Sequence, residues 1–458
     1  MSEERGDGNI MTTVDDKQAE IRTGGGARKL VVSGLRKVKA DGWTRLTADI
    51  EFVNVPEAEE FKERTLWAGV EDKNEYMLAD DVYDAFVLVP LYMAMYYKAD
   101  LYIRGFVSRT LFRNADMYFQ GILRDFSDDL SRVEVHAEGF REAEGNPEIV
   151  GTGFSCGVDS LSTVYDHYVR EDIPEYRISG LFMLNCGWHG NYYNSASRNM
   201  FVERCRENRK AAEELGLPMY MVDSNFHAFT YGVLGGANDK LGYIAIYSCI
   251  LALERAVRRY YFSSGFSYGD TITYGHTKHD LNFDGFASPY AVPLASTEKL
   301  CFVMDGCQNV RWEKVRDIAD WDIAQKYLNV CLGDSHIFTK SGSAEHENAA
   351  NCSECEKCMR TQLALEALGK LQLFSGVFDM DTYRRKQFGY KCEVVAKKNS
   401  NYTKAWLLMQ TYRLCRQKGI KLPTMLTARA YLFAVSLPSL PRKIFRRAKR
   451  ILHRLTGH

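Results

Sequence analysis

The sequence predicts an α/β fold: a parallel five-stranded sheet with helices on both faces, preceded by an N-terminal α/β accessory domain and followed by a helical C-terminal region. Three observations predict it. From residue 147 to about 330, short apolar runs alternate with amphipathic stretches, the pattern of parallel strands joined by crossover helices. Before residue 147, strand-like runs with period-2 alternation surround one long apolar stretch. The last part of the chain carries helical spacing with few strand signals.

Taken in order, residues 1–27 are polar, end in Gly24-Gly25-Gly26 and read as a disordered tail. The opening MSEERGDGNI is acidic and polar, so no secretory signal is expected and the chain reads as cytoplasmic. Residues 28–146 form the accessory domain. KLVVSGL and RLTADIEFVNV read as strands, Ala79-Asp80-Asp81 supply cap candidates for the helical YDAFVLVPLYMAMYY, and LYIRGF and RVEVHAEGF read as strands again. The apolar run 86–97 is interrupted by Pro90 and closed by Lys98, too short to span a bilayer. Residues 147–370 follow, with EIVGTGF (strand), DSLSTVYDHYVR (helix), ISGLFMLN (strand), a long helix ending at Leu215-Gly216 and PMYMVD (strand). LGYIAIYSCILALERAVRRY (helix) and YYFSSGF (strand) complete the pattern, and 371–458 is a helical extension.

Composition is that of an ordinary globular chain: 46% hydrophobic, 26% charged and formally neutral over 458 residues. That balance argues against a nucleic-acid partner coated through the whole surface. Of twelve cysteines, three fall within seven residues, a spacing that points to a metal site rather than a disulfide framework.

The sharpest feature is GTGFSCGVDSLSTVYDHY. An apolar strand enters Ser155-Cys156-Gly157-Val158-Asp159-Ser160, and an amphipathic helix follows with Leu161, Val164, Tyr165 and Tyr168 at helical spacing. Strand, small-residue loop and helix N-terminus make an anion site, because N–H groups and the positive end of the helix dipole point the same way. Ser155 and Ser160 add hydroxyls, and Gly157 admits a close backbone approach. The loop resembles the S-G-G-x-D-S signature of the PP-loop ATP pyrophosphatases, whose fold is the adenine-nucleotide α-hydrolase (HUP) sheet. The resemblance implies ATP and magnesium, with pyrophosphate held by 155–160 and Asp159 assisting the metal or organising the loop. Cys156 departs from the family's glycine, and a positive φ there would disfavour it.

The next strand ends in Leu184-Asn185-Cys186, a turn on the same sheet edge; in PP-loop enzymes the corresponding turn reads adenine through the backbone, against the plainer reading of a simple loop under Trp188. Downstream, Ser288 to Glu298, then Asp305-Gly306, Arg311 and Lys314, are dense in polar groups. Arg311 and Lys314 are three apart and share a helical face, where they either stabilise a leaving pyrophosphate or lie on a solvated surface. His189, His276 and His279 read as loop or core residues rather than general bases.

Cys352, Cys355 and Cys358, in NCSECEKCMRT, supply three thiolates at the entry to a helix, and Cys331 is the fourth candidate ligand. Four sulfurs suit a closed structural zinc site; an iron–sulfur cluster is the rival metal reading. A PP-loop followed by one cysteine and then C-x2-C-x2-C resembles 7-cyano-7-deazaguanine synthase over roughly 149–368. NCSECEKCMRT and STEKLCFVMDG are closer still to synthase-like proteins of uncertain substrate, some associated with surface-polysaccharide clusters. The resemblance implies AMP- and pyrophosphate-forming activation of a carboxylate or carbonyl oxygen on a small-molecule acceptor, then attack by ammonia or an amine. A tRNA-modifying PP-loop enzyme and a non-catalytic nucleotide-binding scaffold are the alternatives.

After Pro438 and Pro441, RKIFRRAKRILHRLTGH places apolar residues on one stripe and seven Lys/Arg on the other face. The segment 442–458 suits an anionic membrane surface or an acidic partner, packing on the protein's own core, or RNA.

Overall fold

In the computed structural model, residues 26–59, 61–187, 195–231, 242–274, 288–331, 351–399 and 405–437 are described. The N-terminal tail before residue 26, the basic segment 442–458, Trp188, His189, His276 and His279 lie outside them.

Ten strands build one sheet: β1 (Lys29–Ala40), β2 (Trp43–Val53), β3 (Thr65–Glu71), β4 (Asp100–Val107), β5 (Val135–Phe140), β6 (Ile149–Gly153), β7 (Gly180–Asn185), β8 (Met219–Ser224), β9 (Val257–Ser263) and β10 (Cys301–Asp305). Their spatial order is β10-β9-β6-β7-β8-β3-β2-β1-β4-β5. The expected five-stranded parallel sheet is therefore corrected to a ten-stranded mixed one. A parallel block, β10-β9-β6-β7-β8, is present, but its last strand pairs antiparallel with β3 through Ala68↔Ser224, Gly69↔Asp223 and Val70↔Val222. Asn225 seals this seam: its side chain accepts from Trp67 N at 2.8 Å and donates to Thr65 O at 2.7 Å.

One apolar core crosses the seam. Helix α1 (Leu88–Tyr97) is buried along nearly its whole length and shares a cluster with β1–β4 and with the helix over Gly242–Leu251. That helix is shorter than its sequence suggested. Ala252 to Ala256 make turns and Val257 already begins β9, so the apolar periodicity beyond 251 is divided between a turn and a buried strand. Asp80 and Asp81 do not cap α1 either; both pair with Arg255, at 2.8 and 3.0 Å.

Helix α2 (Val158–Val164, continued as a wider turn over Tyr165–Val169) follows β6, and α3 (Ser195–Leu215) follows β7. Helix α4 (Arg311–Ile318) follows β10 and packs on α2. Helix α5 (Glu356–Ala367) precedes the expected helical extension, and the described residues of that extension give α6 (Met380–Lys397), α7 (Ala405–Gln417) and α8 (Met425–Ser436). Among the described residues, no helix is long and apolar enough to cross a membrane.

Candidate active site and metal centre

Strand β6 ends at Gly153 and turns through Ser155, Cys156 and Gly157 into α2 at the carboxyl edge of the parallel block. Cys156 adopts φ +54°, the left-handed conformation that glycine takes without cost. Its side chain is buried in the core beside Val158 and Leu161, and that burial pushes the thiol well above its ordinary range. The loop is held at both shoulders. Asn208 Nδ2 donates to Phe154 O at 3.0 Å, and Asn329 N donates to Cys156 O at 2.8 Å.

Ser155 Oγ accepts from Gly157 N and lies 3.3 Å from Ser160 Oγ, which also bonds Gly157 O at 3.2 Å. Gly157 is the N-cap and has no side chain to cap the helix. Among the described residues, the N–H groups of Val158, Asp159 and Ser160 have no acceptor, so three donors stand open at the positive end of α2.

Asp159 sits in the first turn. Arg311 Nη1 approaches it at 2.6 Å and Lys314 Nζ at 3.4 Å, so the two cations of α4 do share one face. Lys314 is buried and also donates to Ser264 O. Desolvation opposes an ionised Asp159, yet the charges and hydrogen bonds of Arg311 and Lys314 outweigh it and hold the carboxyl below its usual range. Gly265 lies in front of the pair, where a Cβ would stand at ordinary contact distance, 3.9 Å from Arg311 Nη1 and 4.0 Å from Asp159 Oδ2.

Asn185 and Cys186 lie on the same edge, one strand over. The Asn185 amide donates to Asp223 at 2.7 Å and its carbonyl accepts from Ser224 Oγ at 2.8 Å, while Cys186 is buried. Asn185 therefore ties β7 to β8 with its side chain. A cleft of about 470 Å³ opens on Cys156, Asn208 and Asn329 beside the loop, with Arg206, Lys210 and Lys326 along it; Asp159 and Arg311 do not line it.

Compared with known proteins, the chain matches no family model, no curated protein and no solved structure.

The four cysteines converge as expected. The sulfurs of Cys331, Cys352, Cys355 and Cys358 all lie within 4.8 Å of one another, with Cys352–Cys358 at 3.8 Å and Cys331–Cys355 at 3.9 Å. A tetrahedron of metal–sulfur bonds about 2.3 Å long has edges of about 3.8 Å, so this donor set fits a metal ion such as zinc. The surroundings enforce the shape. Cys355 N donates to Cys352 Sγ at 3.3 Å, and Ser353 takes φ +61° to close the knuckle. Asn351 fastens the fourth ligand, accepting from Val330 N and Cys331 N and donating to Leu328 O and Val377 O.

Several residues escaped the sequence reading. Arg360 is buried, pairs with Glu356 at 3.0 Å and feels both Arg311 and Asp159. Its signal was present as the arginine of NCSECEKCMRT. Asp305, which the sequence marked only as part of a polar segment, accepts from Thr163 Oγ1 at 2.6 Å and pairs with His167 at 3.0 Å; the partners Thr163 and His167, which join α2 to β10, are what escaped. Asn351 had its signal as the first residue of NCSECEKCMRT, whereas Asn329 had none, because it acts through a pairing distant in sequence.

Proposed function

We propose that the chain is an ATP-dependent enzyme that activates a carboxylate or carbonyl oxygen by adenylation and passes it to ammonia or an amine. The observation that carries this reading is the open row of N–H donors at Val158–Ser160, flanked by Ser155, with Arg311 and Lys314 converging on Asp159. Such a cradle suits a polyphosphate: backbone donors and the helix end meet its oxygens, and the paired cations oppose its charge. Asp159 against Arg311 and Lys314 leaves one positive charge in excess. The resemblance of S-C-G-V-D-S to the PP-loop signature supports the same reading.

In this scheme the acceptor oxygen attacks the α-phosphorus, the bond to the β-phosphate breaks, and pyrophosphate leaves. The amine nitrogen then attacks the activated carbon and AMP departs. The residues 155–160 bind the leaving pyrophosphate, and Arg311 and Lys314 stabilise the charge that builds on it. Magnesium, when bound, would neutralise phosphate oxygens, with Asp159 the carboxylate at hand. The cysteine tetrad would hold zinc in a structural role, because four protein sulfurs leave no open position for a substrate. Cys156 and Cys186 are buried, which removes support for a thiol-dependent tRNA thiolation.

The test is release of AMP and pyrophosphate from ATP and magnesium, with panels of carboxylates plus ammonia. Turnover should require the acceptor, and Lys314→Met should lower kcat on the order of 10²-fold, since it removes a charge aimed at the leaving group. Release of ADP and phosphate instead would overturn the scheme.

A further inference from the structure

Charge is distributed unevenly along this chain. After Glu393, the remaining 65 residues contain 15 of the 59 Lys/Arg and none of the 59 Asp/Glu, so the first 393 carry 44 against 59. A formally neutral protein is thus divided into a body of −15 and a C-terminal region of +15. Within the described part of that region, Arg413, Arg416, Lys418, Lys421 and Arg429 are exposed, and none has an ion-pair partner among the described residues. Seven more cations follow in 442–458.

Helix α8 lies inside this region and is apolar where it should be polar. It docks by one stripe only: Ala428 is buried against Cys392 and Val395 of α6, with Leu432 packed beside it. Tyr431 closes on Gly389 and meets the Phe388 ring edge-on at 5.2 Å. On the opposite side, Leu426, Ala430 and Phe433 recur at helical spacing and face solvent, Leu426 at 81% and Phe433 at 50% exposure. Val435 is 59% exposed at the helix end. An apolar stripe of this kind within an acid-free, strongly cationic segment combines the two attractions a lipid interface offers, apolar burial and anionic headgroups. Nucleic acid would use the cations and leave Leu426 and Phe433 without a role.

We propose that α8 docks the protein on an anionic lipid surface, with Leu426, Ala430 and Phe433 entering the headgroup region and the cations of its segment, Arg429 on the same helix among them, drawing it there. The inference does not depend on the adenylation reading.

Vesicle co-sedimentation of the full chain tests it, comparing phosphatidylcholine vesicles with vesicles containing about 30% phosphatidylserine. The wild type should bind the anionic vesicles only, and less as salt rises from about 0.1 to 0.5 M. Leu426→Glu with Phe433→Glu should lower partitioning ~10-fold or more, with Tm and circular dichroism unchanged because neither side chain enters the core. If that pair fails to fold, Leu426→Gln alone should still lower partitioning severalfold. Undiminished binding of a folded variant would overturn the proposal, as would binding to RNA without binding to vesicles. Self-association that vanishes in the variant, with no vesicle binding by the wild type, would equally overturn it.

Discussion

At Cys156 a β-carbon occupies a backbone position that favours glycine, and its sulfur fills core volume at the same time. The two effects oppose each other. A non-glycine residue at left-handed φ costs about 1–2 kcal/mol, while deleting the buried side chain forfeits about as much apolar burial. Cys156→Gly should therefore leave Tm nearly unchanged, whereas Cys156→Val, branched at Cβ, should lower stability by about 1–3 kcal/mol; paired thermal scans measure both. His167 supplies a second residue-scale expectation. Burial disfavours its charge, but the hydrogen bond and charge of Asp305 prevail and raise its pKa, while the same pair lowers Asp305 against its own burial. The His167 contribution is fully present below about pH 6.5 and is lost as pH rises through its higher folded value. The Asp305 contribution is present above about pH 3.9 and is lost as pH falls through its lower folded value. The Tm difference between wild type and Asp305→Asn should be greatest between those limits and shrink on either side.

Among elements, the cysteine knuckle makes the sharpest commitment. Cys358→Ser should abolish stoichiometric metal, read by elemental analysis of the purified protein, and should lower Tm, since a structural metal contributes folding energy directly. Chelation of the wild type should produce the same Tm shift and leave the Cys358→Ser scan unmoved. This site was legible in sequence because three ligands sit at C-x2-C-x2-C spacing, and one short turn decides their geometry. The strand–turn–helix geometry at residues 149–164 was legible for the same reason, its strand, small residues and helix being contiguous. The helix over Gly242–Leu251 was overextended because Leu253, Ala256, Val257 and Tyr260 recur at helical spacing, and β9 gains its identity only from pairing with β6 and β10. Arg360 was passed over because its relevance depends on α5 packing beside α4.

On the scale of the whole molecule, the ten-stranded sheet changes what unfolding should look like. The joint between β3 and β8 is invisible to periodicity, since any strand edge can pair and nothing local in Ala68–Val70 names Val222–Ser224 as its partner. Because one core runs from Leu30 to Phe302 across that joint, differential scanning calorimetry should give one cooperative transition rather than separate ones for the two halves. Asn225→Ala, which strands Trp67 N and Thr65 O in a buried seam, should lower its midpoint by several degrees without splitting it. The same economy of connection links the two candidate sites. Asn329, whose N–H braces the Cys156 carbonyl, stands two residues before Cys331 of the cysteine tetrad. Under the proposed function, order imposed at one end of that short tether would favour order at the other, and metal occupancy and polyphosphate affinity would then report one reciprocal free energy. A protein so built would sense its metal supply through the firmness of the turn at residues 155–160.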